Sequence, residues 1–209
     1  QNGHIEIVKL LLNDNRVDFN KEDNDGSTPF LIACGKGYFE IVKLFLNDNR
    51  IDITKADKFG KTSFYSACGN RHLEIVKLLL NDNRVDFNKA NNGWTPFHNA
   101  CFYGDIEIVK LLLNDNRIDI NKTTKVGSTP FLLACYREKT EVVKYMLESG
   151  REIDINKKDN NGKSGLDCAI EGRKTGIVKL IELFQKNPNE TRAQLRKELA
   201  ICMFSFYFF

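Results

Sequence analysis

One period organises this chain. The string EIVKL, or a near relative, begins at Glu6, Glu40, Glu74, Glu107 and Glu141, and returns as GIVKL at Gly176. The steps between these starts are 34, 34, 33, 34 and 35 residues. Two further markers keep the same step. NDNR begins at Asn13, Asn47, Asn81 and Asn114, and G-x-[ST] begins at Gly26, Gly60, Gly93, Gly127 and Gly162. A step of this length marks stacked supersecondary units, each too small to bury its apolar face alone. The register divides the chain into a partial unit at 1–21, units at 22–55, 56–88, 89–122 and 123–157, a degenerate unit at 158–186, and a non-repeating segment at 187–209. The chain opens on Gln1 in what reads as the interior of a unit, so a longer parent chain is expected.

Each unit has the same internal grammar. Thr28-Pro29 starts a helix, because Thr is a good N-cap and proline at the first helical position lacks only a donor the helix would not use. The pair recurs as Thr95-Pro96 and Thr129-Pro130, whereas Thr62-Ser63 and Ser164-Gly165 are weaker starts. A short apolar run follows, residues 30–34, and then a break at Gly37. Residues 39–46 form a second helix whose polar residues, continued by Asn47, occupy one narrow stripe. The rest of that helix is apolar and needs cover on several sides, which neighbouring units supply. Asn47-Asp48-Asn49 reads as a helix stop in which Asn adopts the left-handed conformation. Ile51-Asp52-Ile53-Thr54 alternates with the period of an extended segment. Asp57-Lys58-Phe59-Gly60 then turns the chain. The expected fold is all-α, a helix-loop-helix repeat solenoid with short β-like fingers. Ile41, Ile75 and Ile108 are expected to be buried between units.

The composite pattern D-x-x-G-x-T-P-[LF]-x-x-A-x-x-x-G-x-x-E-[IV]-V-K-L-L-L resembles the ankyrin repeat. Gly93-Trp94-Thr95-Pro96-Phe97-His98-Asn99-Ala100 carries it most fully. The resemblance spans residues 1 to about 186. There are departures. Most units hold one extra residue where NDNR follows the second helix, Arg71, Glu138 and Arg173 replace the inter-helix glycine, and residues 163–167 are degenerate. The resemblance implies partner contacts on a concave face built from finger tips and the ends of the first helices. Carried over position by position, it implies a contact set of Phe59, Lys61, Trp94, Phe102, Tyr103, Lys125, Tyr136 and Arg137, with Asn70 and Val126 beside them. The first full unit has only Asn24, Asp25, Ser27, Gly35 and Lys36 at those positions. Trp, Tyr and Arg are the residues that most often dominate interface energetics.

Other chemistries find little support. Lys+Arg is 31 against Asp+Glu 28, a formal charge of +3. The lysine ladder Lys9, Lys43, Lys77, Lys110, Lys144 and Lys179 has a glutamate three residues before each of its first five members, so it is internally neutralised. No nucleic-acid partner is therefore expected. Cys34, Cys68, Cys101 and Cys135 each lie six residues after the helix-start Thr, the small-residue position of the first helix. A structural role as buried thiols is expected there. Cys168 breaks that register, Cys202 lies in the tail, and there is no C-x-x-C spacing, so no metal or cofactor is expected. His4, His72 and His98 are too scattered for a catalytic set, and His98 should hydrogen-bond within its own unit. Asp18, Asp52, Asp86, Asp119 and Asp154 recur once per unit and read as solvated finger residues rather than a catalytic set. No enzymatic motif is present.

The chain ends AICMFSFYFF, too short to span a bilayer. It is expected to cover the last unit or to continue into a further segment, since a membrane-surface anchor would carry a basic flank. The expected function is that of a protein–protein interaction scaffold, monomeric and intracellular, cytoplasmic in location. The alternatives are a cis-acting regulatory or targeting segment of a larger enzyme or channel and, from another class, a thiol redox sensor. Family membership fixes the scaffold and leaves the partner open.

Overall fold

A helix apolar around most of its circumference can be stable only inside a stack, and the chain is built that way. The computed structural model describes residues 4–206, with side chains through Ala200. Contacts divide it into two compact units, residues 1–99 and 100–209. In the first lie α1 (Ile5–Leu12), α2 (Pro29–Lys36), α3 (Phe39–Leu46), α4 (Ser63–Gly69) and α5 (Leu73–Leu80). Helix α6 (Pro96–Tyr103) spans the division. The second unit holds α7 (Ile106–Leu113), α8 (Pro130–Tyr136), α9 (Thr140–Glu148), α10 (Gly165–Glu171), α11 (Thr175–Lys186) and α12 (Pro188–Phe206).

In the first unit α2 packs on α3 and α4 on α5, while α2 also packs on α4 and the second helices α1, α3 and α5 follow one another. In the second unit α8 pairs with α9 and α10 with α11, α8 lies on α10, and α7, α9 and α11 form the other layer. The buried residues are those the period demands. Ile41, Ile75 and Ile108 are 6%, 1% and 0% exposed, as expected. Phe30, Phe64 and Phe131 fill the same place in three first helices. Each such side chain contributes about 1.5–3 kcal/mol through burial.

The helix starts behave alike, including the two that read as weaker. The hydroxyl oxygens of Thr28, Thr62 and Thr129 accept from the backbone N–H three residues on. Ser164 does the same for Asp167, whose carboxylate accepts from the Ser164 N–H in return, a full capping box. A Cβ on Gly165 would lie 3.1 Å from Cys135 Sγ and from Phe131. That close approach favours glycine over the proline found at the matching position of other repeats.

The helix stop differs from the sequence expectation. Asn13, Asn47, Asn81 and Asn114 are right-handed, with φ between −79° and −85°. The turn is instead built by the next residue: Asp48 Oδ1 accepts from the Arg50 N–H at 3.0 Å, an Asx-type turn, and pairs with the Arg50 guanidinium. That guanidinium also reaches back one repeat. Arg50 Nη2 donates to Leu12 O at 2.6 Å, Arg84 Nη2 to Leu46 O at 3.2 Å, and Arg151 Nη1 to Leu113 O at 2.9 Å. Arg50 and Arg84 of NDNR, and Arg151 at the matching place in Glu148-Ser149-Gly150-Arg151, are thus staples that satisfy the orphan carbonyls ending the previous second helix. Arg192 of α12 gives the same bond to Leu147 O at 3.3 Å. Helix α12 packs on α9 and α11, burying Thr191, Leu195 and Leu199 along one stripe. The side chains of residues 201–209, where the expectation for the apolar tail and for Cys202 falls, lie outside the described residues.

The inter-helix positions are left-handed. Gly37 has φ 79°, and Arg71, Glu138 and Arg173 adopt φ 64°, 55° and 56° at matching places. Gly37 is also a close-approach site: a Cβ would sit 2.6 Å from His72 Cε1. His72 Nε2 lies 3.0 Å from Gly35 O, a second staple, onto the end of the previous first helix.

The fingers alternate as read, but they are turns; the described residues contain no strand. Ile51 and Ile53 are buried, while Asp52 Oδ1 accepts from the Thr54 N–H and curls the backbone. Asp18, Asp86 and Asp119 do the same. Consecutive fingers are joined by asparagine amides. Asn20 Nδ2 donates to Arg50 O and its Oδ1 accepts from the Asp52 N–H, both at 2.7 Å. Asn121 bridges to Glu152 and Asp154 in the same way.

Candidate functional site

Once the stack's own demands are met, the residues left over are finger tips and first-helix ends. In the first unit the tip at Phe59 is 60% exposed, with Lys61 Nζ 6.0 Å from its ring centroid. Asp57 holds this tip by accepting from the Phe59 and Lys61 N–H groups. The next tip is built differently. It is one residue shorter, and Asn92 and Gly93 both have positive φ, 50° and 87°. Asn91 and Trp94 exchange two backbone hydrogen bonds around them, at 2.9 and 2.8 Å. This is a two-residue turn of the type Asn-Gly favours. Trp94 therefore occupies a backbone setting unlike that of Ser27 or Lys61. Its indole is half-buried, 6.1 Å from the His98 ring. His98 is fully buried, and its Nδ1 accepts from the Thr95 N–H at 3.1 Å, the within-unit role expected for it.

The second unit gathers the remaining candidates. Phe102 and Tyr103 end α6, their rings 5.2 Å apart and edge-on. The Arg137 guanidinium lies 4.5 Å over the Phe102 ring. Tyr136 is 56% exposed and Tyr103 54% exposed. Lys125 and Val126 form an exposed finger tip whose backbone carbonyls accept from Asn160 of the following finger. Gly127, at φ 81°, allows that approach, since a Cβ would sit 2.9 Å from Asn160 N.

Lys174 is a residue the sequence reading missed. Its ammonium lies 5.2 Å from the Tyr136 ring and donates to Cys135 O and Tyr136 O, so it closes the C-terminal end of α8. The available signal was positional: Lys174 follows Arg173 as His72 follows Arg71, and both reach back to the previous first helix. Tyr136 and Lys174 edge a cleft of about 430 Å³ that runs past Leu132 and Lys163 to Cys168. A larger groove of about 650 Å³ runs along α1, where Ile7 and Leu11 are exposed, and holds none of the candidates.

The outer helix faces are electrostatically closed. Lys9, Lys43, Lys77, Lys110 and Lys144 lie 2.7–3.6 Å from the glutamates three residues before them. The cysteine ladder is buried, and burial pushes the thiols of Cys34, Cys101 and Cys135 far above the ordinary range. Such thiols are inert, which weighs against a redox sensor. Among the described residues no group of three His, Cys, Asp or Glu is placed to hold a metal ion, and no helix is long and apolar enough to cross a membrane.

A search of the curated proteins finds no match. The family model described as ankyrin repeats (3 copies) matches residues 1–57, 49–124 and 116–192.

Proposed function

The chain belongs to the ankyrin-repeat family, and from that premise we propose that it is a noncovalent protein-recognition scaffold. Repeats of this family mediate protein–protein interaction. The finer reading is that the partner contacts the finger tips and first-helix ends, the face expected to be concave. The contact residues are Phe59, Lys61 and Trp94 in the first unit, and Phe102, Tyr103, Lys125, Tyr136 and Arg137 in the second.

One observation carries this reading. At the position after the first-helix cysteine, two repeats have Gly35 and Gly69, and the next two have Phe102 and Tyr136. The stack does not need a ring at a place where glycine serves. Large aromatics with exposed edges, beside an arginine, are the groups that anchor interfaces. A specific complex would bury about 800 Å² per side.

The test is a pull-down from lysate with mass spectrometry, run with three proteins. One is wild type, one carries Phe59→Ala, Tyr103→Ala, Tyr136→Ala and Arg137→Ala, and one carries Glu74→Ala and Lys77→Ala on the outer helix face. The reading requires a partner that is lost with the second protein and retained with the third. The opposite pattern overturns the face assignment. Trp94→Ala then separates recognition from packing. An anchoring indole costs about 2 kcal/mol or more of affinity on removal. Lost stability with unchanged affinity removes Trp94 from the site.

A further inference from the structure

The second unit presents an arginine whose charge the protein leaves unanswered. Arg16, Arg50, Arg84 and Arg117 are each paired with the aspartate two residues before them. Arg151 is spent on the carbonyls of Leu113, Asp115 and Ile118. Arg137 has no carboxylate or carbonyl acceptor for its guanidinium among the described residues. It is exposed, and its Cζ lies 4.5 Å from the centroid of the Phe102 ring. Contact with the ring restrains the guanidinium, and its N–H donors have no acceptor among the described residues. That is the geometry for bidentate capture of a carboxylate, with little side-chain entropy left to lose.

The surroundings define what arrives with the carboxylate. Tyr103 stands edge-on to Phe102 at 5.2 Å and is 54% exposed, so apolar surface borders the cation on one side. Tyr136 lines a hollow together with Arg137, and Lys174 adds a second positive charge 5.2 Å from that ring. The nearby acids do not cancel this pair. Glu171 is held by Lys163 at 2.6 Å. Glu138 is exposed and forms no ion pair with Arg137. We infer that Arg137, Phe102, Tyr103 and Tyr136 form a docking surface for a protein segment that places an Asp or Glu side chain next to an aromatic or aliphatic one. This rests on the protein-recognition reading above and names the chemistry of the partner. A nucleic acid is the weaker match, because a phosphate backbone needs a track of unpaired cations and here Lys174, the cation beside Arg137, is already bonded to two backbone carbonyls.

The experiment is selection of a displayed random 12-residue peptide library on the full chain, repeated on R137Q. Selected peptides should be enriched in Asp or Glu adjacent to an aromatic or aliphatic residue. Their Kd should rise about tenfold for R137Q, the range for losing hydrogen bonds to a charged group. Binding should weaken with added salt, and Arg137→Lys should restore only part of the loss, since it keeps charge without the planar fork. Thermal melts of both variants should match wild type, as the guanidinium lies at the surface. Peptides with no acidic preference, or with affinity indifferent to R137Q, overturn the inference and leave the scaffold reading to its pull-down. Failure to select any peptide also overturns it. A labelled dT20 oligonucleotide that binds wild type and is lost with R137Q would assign the surface to nucleic acid instead.

Discussion

The arginine staples make the stack's cohesion testable residue by residue. Arg16, Arg84, Arg50 and Arg151 occupy comparable places, yet the structure gives them different numbers of acceptors in the previous repeat. Arg16 pairs with Asp14 alone and its side chain is 89% exposed. Arg84 adds one bond, to Leu46 O. Arg50 adds two, to Leu12 O and Asn15 Oδ1, and lies 5.1 Å over the Phe19 ring. Arg151 makes three, to Leu113 O, Asp115 O and Ile118 O, and is partly buried. An exposed ion pair is worth at most about 1 kcal/mol. Each cross-repeat bond contributes about 1 kcal/mol net, because water can return to the carbonyl once the arginine is gone. Substitution by alanine should therefore cost least at Arg16, more at Arg84 and Arg50, and most at Arg151, about 3 kcal/mol for its three bonds. For a chain of this size the largest of these corresponds to a drop in Tm of roughly 6–12 °C. Urea unfolding followed by far-ultraviolet circular dichroism reads the series, with an unchanged m-value as the condition for comparison. A flat series, with Arg16→Ala as costly as Arg50→Ala, would falsify the staple and assign the contribution to the local Asp–Arg pair.

Three further outcomes follow from named contacts. Glu138→Gly should raise stability by about 0.5–1 kcal/mol, since relief of a left-handed side chain exceeds the entropy glycine gains on unfolding. Gly37→Ala should lower Tm by more, because its Cβ meets His72. Arginine hydrogen bonds hold Asp14, Asp48, Asp82 and Asp115 below their ordinary pKa, Asp48 at about 2. Their contribution is fully present above the unfolded value of 3.8 and is lost as pH falls toward 2. Acid titration of Asp48→Asn should accordingly show a shallower loss of stability across that window than wild type. Finally, a thiol reagent in native buffer should label Cys34, Cys68, Cys101 and Cys135 slowly and in urea quickly; fast native labelling would revive the redox reading.

What the sequence made legible was whatever the period repeats. The buried isoleucines, the Thr caps, the Glu–Lys pairs and the cysteine positions all follow from one register, because identical neighbours impose identical environments. What it hid were bonds between repeats. Asn47 reads as a left-handed stop on propensity, but Asp48 makes the turn and Arg50 reaches across it, a contact about a repeat away that no local rule encodes. The finger alternation gives the correct buried face, and the Asp side chains then override the extended backbone. Arg71 and Arg173 keep a left-handed geometry without glycine, and those turns deliver His72 and Lys174 to their staples on the previous first helix.

The candidate site was legible only by subtraction, and that has a consequence for how its residues divide. A residue present in every repeat has a cause in the stack. A residue present once has either a local cause or an external one. Trp94 has a local cause available: its repeat is a residue short, its tip is an Asn-Gly turn, and its ring lies against buried His98. Phe102, Tyr103 and Tyr136 have none of comparable strength, for their helices are ordinary in length and their counterparts are Gly35, Lys36 and Gly69. Arg137 likewise stacks on a ring that is itself surplus to the fold. The case for recognition therefore rests more firmly on the ends of α6 and α8 than on the single tryptophan that draws the eye in the sequence.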